Sequence, residues 1–191
     1  MDQPIIKLDY QRIAFDGQIH LVDNDRELKL VIEKLAVAKE LGFDTETKPS
    51  FKKGDVFKVA LLQLSTDTDA YLFRLHHLTE YQLIKKILEE INIVKVGVAI
   101  RDDLRSLQKT FSFEPQNFIE LQNLAKTKGV KNFGLKSMAE EILDATISKG
   151  PKMTNWELPV LNDKQKLYAA TDAWIGLKLY QKLQTKLINP S

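Results

Sequence analysis

Two acidic residues stand close together in the stretch Leu41–Thr47, which reads Leu-Gly-Phe-Asp-Thr-Glu-Thr. Its composition predicts a short β-strand that ends before Pro49. Because side chains alternate between the two faces of a strand, Asp44 and Glu46 should share one face. Like charges so close raise each other's pKa and favour a compensating cation. We therefore predict a pair of divalent metal ions at this strand; the alternative is an acidic strand end that faces water.

A second acidic pair, Asp102-Asp103, opens a predicted helix over Asp102–Phe111. Helical spacing places Asp103 on a stripe with the apolar Leu107, whereas Asp102 heads a polar row. We assign Asp103 to chemistry and Asp102 to capping the helix, and Asp102 in the chemical role remains an open alternative.

A third acidic residue, Asp172, lies inside a predicted final helix over Asp163–Leu187. It shares an otherwise buried stripe with five residues, namely Tyr168, Ile175, Gly176, Leu179 and Leu183. A carboxylate in such a row is rarely unpaired, and a hydrogen bond to a buried group would satisfy it alone. Four carboxylates from three elements instead indicate one shared metal site, and oxygen ligands favour magnesium or manganese over zinc.

The elements that must position these residues follow from the hydrophobic pattern. Strands are predicted at Phe57–Ser65 and Asp69–Leu75, which form an antiparallel meander with the Asp44 strand. Strand–helix alternation then follows, with helices at 79–90, 102–111, 121–128, 135–143 and 163–187 and strands at 93–98 and 117–121. The pattern predicts an α/β protein with a mixed five- to six-stranded sheet flanked by helices.

Composition limits the class of protein. The chain has 191 residues, of which 43% are hydrophobic and 28% charged, and its formal net charge is +2. These values predict a single globular domain over residues 1–191. There is no cysteine, so disulfides and thiolate metal sites are excluded. Without a membrane-spanning apolar run or a signal-peptide pattern, we expect a cytoplasmic protein.

Three motifs in order make the sequence resemble a known family. They are Asp44-Thr45-Glu46, then Val96-Gly97-Val98-Ala99-Ile100-Arg101-Asp102-Asp103, then Tyr168-Ala169-Ala170-Thr171-Asp172, with matching flanks at Lys58–Leu64, Asn155-Trp156 and Gln165–Tyr168. Together they resemble the DEDD family of 3′–5′ exonucleases, in particular ribonuclease D and the exonuclease domain of the Werner syndrome protein. The resemblance implies a ribonuclease-H-like fold.

The resemblance also implies roles for individual residues. Asp44, Glu46, Asp103 and Asp172 match the family's metal-binding carboxylates, and Tyr168 matches the residue that defines its tyrosine subfamily. The implied reaction releases nucleoside 5′-monophosphates from the 3′ end of DNA or RNA with two Mg²⁺ or Mn²⁺ ions. Tyr168 would orient a water molecule, since an ordinary tyrosine pKa near 10 does not suit a strong base. The alternatives are a phosphodiesterase restricted to short oligonucleotides and a non-catalytic nucleic-acid-binding relative.

Substrate contacts are predicted from basic and aromatic residues in the second half of the chain. Lysines bind phosphates and aromatic rings stack on bases, which makes Lys131, Phe133, Lys152 and Trp156 candidates. A solvated lysine surface, and a Trp156 that anchors its loop to the core, are the alternatives. The expected partner is single-stranded or 3′-recessed nucleic acid, with no membrane and no obligate protein partner. We expect no appended helicase or helical binding domain, which leaves the substrate choice open.

Overall fold

The computed structural model describes residues 9–48, 58–148 and 154–185. Its eight strands are β1 (Gln11–Arg12), β2 (Gln18–Val22), β3 (Glu40–Thr47), β4 (Val59–Ser65), β5 (Asp69–Arg74), β6 (Val94–Gly97), β7 (Phe118–Glu120) and β8 (Ala145–Thr146). Its six α-helices are α1 (Asp25–Leu35), α2 (Tyr81–Leu88), α3 (Ile100–Gln108), α4 (Leu121–Thr127), α5 (Leu135–Leu143) and α6 (Asp163–Thr185). A short 3-10 helix, Leu75–His77, follows β5.

Six strands form one mixed sheet in the order β2-β5-β4-β3-β6-β7. Strands β3, β4 and β5 are antiparallel neighbours, as the predicted meander requires, and β6 and β7 continue the sheet in parallel beyond β3. Strand β2 pairs in parallel with β5 at the other edge. The prediction of a mixed five- to six-stranded sheet flanked by helices is confirmed.

Strand β3 lies inside the sheet, and its successive side chains point alternately to the two faces of the sheet. Leu41 and Phe43 pack in the cluster formed with α1, α2 and α3. The opposite face of the sheet is covered by α6, whose buried side chains belong to two further clusters. Asp44 and Glu46 therefore lie on the α6 side, and the regular pairing of β3 with β4 shifts between Glu46 and Thr47.

Gly42 allows α6 to approach β3 closely. A Cβ atom at this position would lie 1.9 Å from the carbonyl oxygen of Ala173 and 2.6 Å from the Ser65 hydroxyl oxygen. Any larger residue would push the helix away from the strand. The glycine thus brings the α6 turn that contains Asp172 next to the strand that contains Asp44.

Helix α3 begins earlier than predicted. Its first residue is Ile100, and Ala99 before it adopts the left-handed conformation with φ of 59°. Asp102 therefore lies within the first turn and does not cap the helix; it is exposed and pairs with Arg105 at 3.5 Å. The capping role predicted for Asp102 is wrong, because the left-handed Ala99, three residues before Asp102, occupies the N-cap position.

Most other predicted elements are confirmed to within a few residues. Helix α1 begins after Asn24, whose side chain accepts the Glu27 N–H at 3.0 Å. Strand β8 was not predicted; it pairs with β1 in a separate two-stranded sheet. Phe57, the first residue of the strand predicted at Phe57–Ser65, lies outside the described residues. Within the described ranges, no helix is long and apolar enough to cross a membrane.

Candidate active site

Three of the four predicted carboxylates converge. Asp44, Glu46 and Asp172 each place a carboxylate oxygen within 4.8 Å of the others. Asp44 and Glu46 reach this point from one face of β3, and Asp172 reaches it from the buried stripe of α6, where it is 8% exposed. The prediction that α6 places an aspartate opposite the acidic strand is confirmed.

Burial raises the pKa of every carboxyl group in this cluster, and repulsion between the charges adds to the increase for Asp44 and Glu46. Burial is the main cause for Asp44, whose pKa lies well above its usual range, and the charges of Asp172, Glu46 and Asp103 add to it. Burial, followed by the charge of Asp172, raises the pKa of Glu46 to about 8. The pKa of Asp172 rises through burial to about 6. Ionising all three groups together is therefore costly unless a cation is present.

Asp103 lies beside the cluster but turns toward the other side of β3. Its carboxylate accepts a hydrogen bond of 2.5 Å from the Thr45 hydroxyl, and it is not one of the three residues within the 4.8 Å limit among the residues described. Burial raises the pKa of Asp103, and the Thr45 bond opposes this increase. Its charge nevertheless reaches Asp44 and Glu46, since it raises the pKa of both.

Tyr168 lies one helical turn before Asp172, as the sequence predicted, and its hydroxyl donates a hydrogen bond to the Asp172 carboxylate. Burial and then the charge of Asp172 raise the pKa of Tyr168 above its usual value. The hydroxyl thus keeps its proton at neutral pH, so this group can donate a hydrogen bond but cannot act as a base.

Trp156 closes the cluster from the loop that precedes α6. Its ring is only 3% exposed and stacks near Tyr168, with the centroids 6.2 Å apart. The indole N–H donates a hydrogen bond to the Glu46 carboxylate. The buried ring packs in the way that the anchoring alternative predicted, and stacking of Trp156 on a base remains a prediction.

The loop that carries Trp156 is fastened to the sheet by Arg74 at the end of β5. The Arg74 side chain is 1% exposed, and its guanidinium donates to the carbonyl oxygens of Leu158 and of Pro159, the latter at 2.8 Å. Lys48 and Glu157 add an ion pair of 3.3 Å. The indole is therefore held at a fixed distance from β3.

The donor set fits hard divalent cations. Three carboxylates with crowded oxygens and raised pKa values, of which Asp172 is buried and Asp44 and Glu46 are partly buried, provide the ligands that Mg²⁺ and Mn²⁺ prefer. Among the described residues, none of the ion pairs involves Asp44, Glu46, Asp103 or Asp172. Their negative charge is thus left for a bound ion.

Comparison with known proteins identifies the family. The sequence profile of the 3′-5′ exonuclease family matches residues 19–188, which is most of the chain. The chain belongs to the 3′-5′ exonuclease family. The resemblance drawn from the three acidic motifs is thereby confirmed.

Individual relatives of this chain support the family assignment. It is 35% identical over 156 residues to the bifunctional 3′-5′ exonuclease/ATP-dependent helicase WRN of Mus musculus, covering 78% of this chain and 11% of that protein. The crystal structure of Escherichia coli RNase D, an exoribonuclease involved in structured RNA processing, superposes with a TM-score of 0.80 at 27% identity. That match covers 88% of this chain and 45% of RNase D. The Aedes aegypti Nibbler EXO domain shares the fold, with a TM-score of 0.84, 22% identity and 92% coverage of both chains. The chain thus spans less than half the length of WRN and RNase D.

Two of the other predicted substrate contacts, Lys131 and Phe133, belong to the part of the chain that the structure describes. Lys131 is exposed and borders a surface depression with Glu140 and Glu141, so acidic groups share its surface. Phe133 is partly buried against the cluster around α4, α5 and α6, whereas Trp156 and Tyr168 pack in a different cluster. Lys152 lies outside the described residues. The substrate roles of Lys131, Phe133 and Lys152 remain predictions.

Sequence reasoning missed the residues that hold the acidic side chains in place. The sequence indicates Thr45 only as part of the first motif and Glu120 only as part of a short strand, and it does not single out Arg74. Each acts through a contact with a residue at least 20 positions away. The Asn155-Trp156 pair in the family resemblance was the one available signal for this part of the site.

Proposed function

We propose that the protein is a metal-dependent 3′–5′ exonuclease that hydrolyses phosphodiester bonds of DNA or RNA from the 3′ end and releases nucleoside 5′-monophosphates. The observation that carries the proposal is the convergence of Asp44, Glu46 and Asp172 within 4.8 Å, with Tyr168 bonded to Asp172, in a chain of the 3′-5′ exonuclease family.

In this proposal Asp44, Glu46 and Asp172 hold two divalent ions, Mg²⁺ or Mn²⁺, and Asp103 completes the set. When bound, such ions supply a nucleophilic oxygen at neutral pH and offset the charge that develops on the phosphate and on the leaving 3′-oxygen. The carboxylates bind the ions as anions. Their raised pKa values mean that ion binding displaces protons, so ion affinity should increase with pH.

Tyr168 orients the attacking water in this proposal, because its hydroxyl donates its one proton to Asp172 and can accept a hydrogen bond from the water. Its hydroxyl keeps its proton, because burial and the neighbouring carboxylates raise its pKa. Trp156 supports the same region from the opposite side, since its N–H holds the Glu46 carboxylate and its ring lies against Tyr168. Both contacts restrict the freedom of groups that must be in place before reaction.

The decisive experiment is digestion of DNA and RNA that carry a label at either the 3′ or the 5′ end, with Mg²⁺, with Mn²⁺ or with EDTA. We expect the 3′ label to be released as a mononucleotide and the 5′-labelled strand to shorten one nucleotide at a time. Asp44→Ala should abolish cleavage without unfolding the protein, and the exposed Asp102→Asn should retain activity. Cleavage that persists in EDTA, or in Asp44→Ala, would contradict the metal-dependent mechanism.

The end specificity has its own test. A 3′-phosphate should slow digestion, because it adds negative charge next to an acidic site. Circular single strands should remain intact, since they have no end; their degradation at the linear rate would rule out an exonuclease. A substrate series from dinucleotides to strands of tens of nucleotides distinguishes a processing exonuclease from an enzyme that cleaves only very short oligonucleotides.

A further inference from the structure

The carboxylate of Glu120, the last residue of β7, binds backbone N–H groups at the start of two helices. Its two oxygens accept the N–H groups of Ala99 and Ile100, both at 2.9 Å, where α3 begins. The oxygen that binds Ala99 also accepts the N–H of Gln122 at 3.1 Å, in the first turn of α4. One side chain thus satisfies amides that have no partner within either helix.

The α3 end of this arrangement has an unfavourable backbone conformation. Ala99 has φ of 59° and ψ of 32°, which is the left-handed region. This conformation is unfavourable for an alanine because its Cβ atom crowds the following carbonyl oxygen, so the surroundings must hold it there. The bond from Ala99 to Glu120 is the contact that does so directly.

Asp103 depends on this helix start. It lies in the first turn of α3, four residues after Ala99, and its carboxylate accepts a hydrogen bond of 2.5 Å from the Thr45 hydroxyl. A change in the direction of this first turn would move the Asp103 carboxylate relative to the other three. Two contacts therefore fix the position of Asp103: Thr45 binds its carboxylate, and Glu120 binds the backbone where its helix begins.

We propose that Glu120 is a positioning residue for the metal site: its two-oxygen contact with Ala99 and Ile100 fixes the start of α3 and so places Asp103 for metal binding. The inference rests on the proposed function. Glu120 bonds only to backbone amides in these contacts and does not belong to the carboxylate cluster. Its charge also acts on Asp103, so a test of its positioning role must keep that charge.

The informative variant is Glu120→Asp. It keeps the negative charge, so a loss of cation affinity cannot be attributed to a lost charge. The shorter side chain cannot reach both α3 amides and Gln122 together. Glu141→Asp is the matched control, because Glu141 also accepts two consecutive backbone amides, from Lys131 at 2.9 Å and Asn132 at 3.2 Å, but holds a different part of the chain.

The measurement is the Mn²⁺ dissociation constant of the purified full chain by calorimetry, together with amide hydrogen exchange of the metal-free protein. We expect Glu120→Asp to weaken Mn²⁺ binding about 10-fold to 100-fold, as for other residues that orient metal ligands, and to speed exchange at Ala99 and Ile100. Glu141→Asp should leave Mn²⁺ affinity unchanged.

A double-mutant cycle with Asp103→Ala tests whether Glu120 acts through Asp103. Once the Asp103 carboxylate is gone, Glu120→Asp should cause no further loss of Mn²⁺ affinity. If Glu120→Asp does not fold, Glu120→Asp is measured with and without Asp103→Ala in an Ala99→Gly background, where the left-handed conformation carries no Cβ penalty.

The possible outcomes separate the two proposals. Unchanged Mn²⁺ affinity in folded Glu120→Asp, or an equal loss with and without Asp103, would overturn the role of Glu120 while the exonuclease proposal stands. A wild-type chain that binds no Mn²⁺ would overturn the proposed function and the metal role of Glu120 with it. A loss that requires Asp103 and is absent from Glu141→Asp supports the proposal.

Discussion

Replacing Glu46 with glutamine should stabilise the metal-free protein, even though it removes a residue proposed for catalysis. Burial and the charge of Asp172 raise the pKa of Glu46 from its usual 4.5 to about 8. Ionised Glu46 is therefore a source of instability in the folded state. Glutamine has nearly the same shape and still offers an oxygen to the Trp156 N–H, but it carries no charge.

The size of the effect follows from linkage. The difference between 4.5 and about 8, at about 1.4 kcal/mol for each pH unit, corresponds to a maximum of about 5 kcal/mol. Because the pKa is higher in the folded state than in the unfolded state, the folded protein binds the proton more tightly. The stabilisation from that proton is complete below pH 4.5 and is lost as the pH rises through about 8.

The assay is urea unfolding in EDTA at several pH values from about 5 to 9. Wild type should lose stability toward high pH, and Glu46→Gln should lose less. The two should be nearly equal at the acid end, and the variant should be more stable by about 2–5 kcal/mol at the alkaline end. Asp102→Asn is the control, since that side chain is 89% exposed and should change stability by no more than about 0.5 kcal/mol.

Saturating Mn²⁺ should reduce the stability advantage of Glu46→Gln over wild type. An ion that binds only the folded state at about 1,000 times its dissociation constant adds about 4 kcal/mol to stability, and wild type should gain more of this than Glu46→Gln. If wild type and Glu46→Gln lose stability in parallel between pH 5 and 9 in EDTA, the electrostatic account of the cluster is wrong.

Two further changes separate roles within the site. Tyr168→Phe should lower the single-turnover rate about 10²- to 10⁴-fold, with Mn²⁺ affinity unchanged. Asp172→Asn should instead weaken Mn²⁺ binding and recover part of its activity at high Mn²⁺. Full activity in Tyr168→Phe, or its rescue by Mn²⁺, would show that the tyrosine is a packing residue. Trp156→Phe keeps a ring against Tyr168 but loses the hydrogen bond to the Glu46 carboxylate, worth about 1.5–3 kcal/mol. Its stability loss in EDTA should be larger at pH 9, where Glu46 is ionised, than at pH 5, and urea unfolding that shows equal losses would contradict the contact.

The parts of the site that follow a regular period could be predicted from the sequence. Alternation along β3 predicted that Asp44 and Glu46 share one face of the strand. The helical stripe predicted that Tyr168 and Asp172 share the buried face of α6. Both patterns depend only on near neighbours in the chain. The antiparallel meander followed from the same local signals together with short connections.

The start of α3 could not be predicted in this way. Aspartate is a common helix cap, so Asp102 was the natural choice, and nothing in its neighbourhood favours a left-handed alanine. The structure resolves the matter through Glu120, which lies 20 residues beyond Ile100 and reaches it only because β6 and β7 are neighbours in the sheet. Arg74 and the loop at Leu158 and Pro159 present the same difficulty over a separation of more than 80 residues.

The hydrogen-bond donors around the acidic residues show how the fold tolerates this site while leaving it able to bind cations. Glu46 accepts from the Trp156 indole, Asp172 from the Tyr168 hydroxyl, Asp103 from the Thr45 hydroxyl, and Asp44 from the Thr45 backbone N–H. All of these donors are neutral. A lysine or arginine would stabilise the metal-free fold more strongly, but its charge would compete with the ion for the same oxygens. Neutral donors orient the carboxylates but do not neutralise their negative charge. Metal binding can therefore relieve the repulsion that remains between the carboxylates.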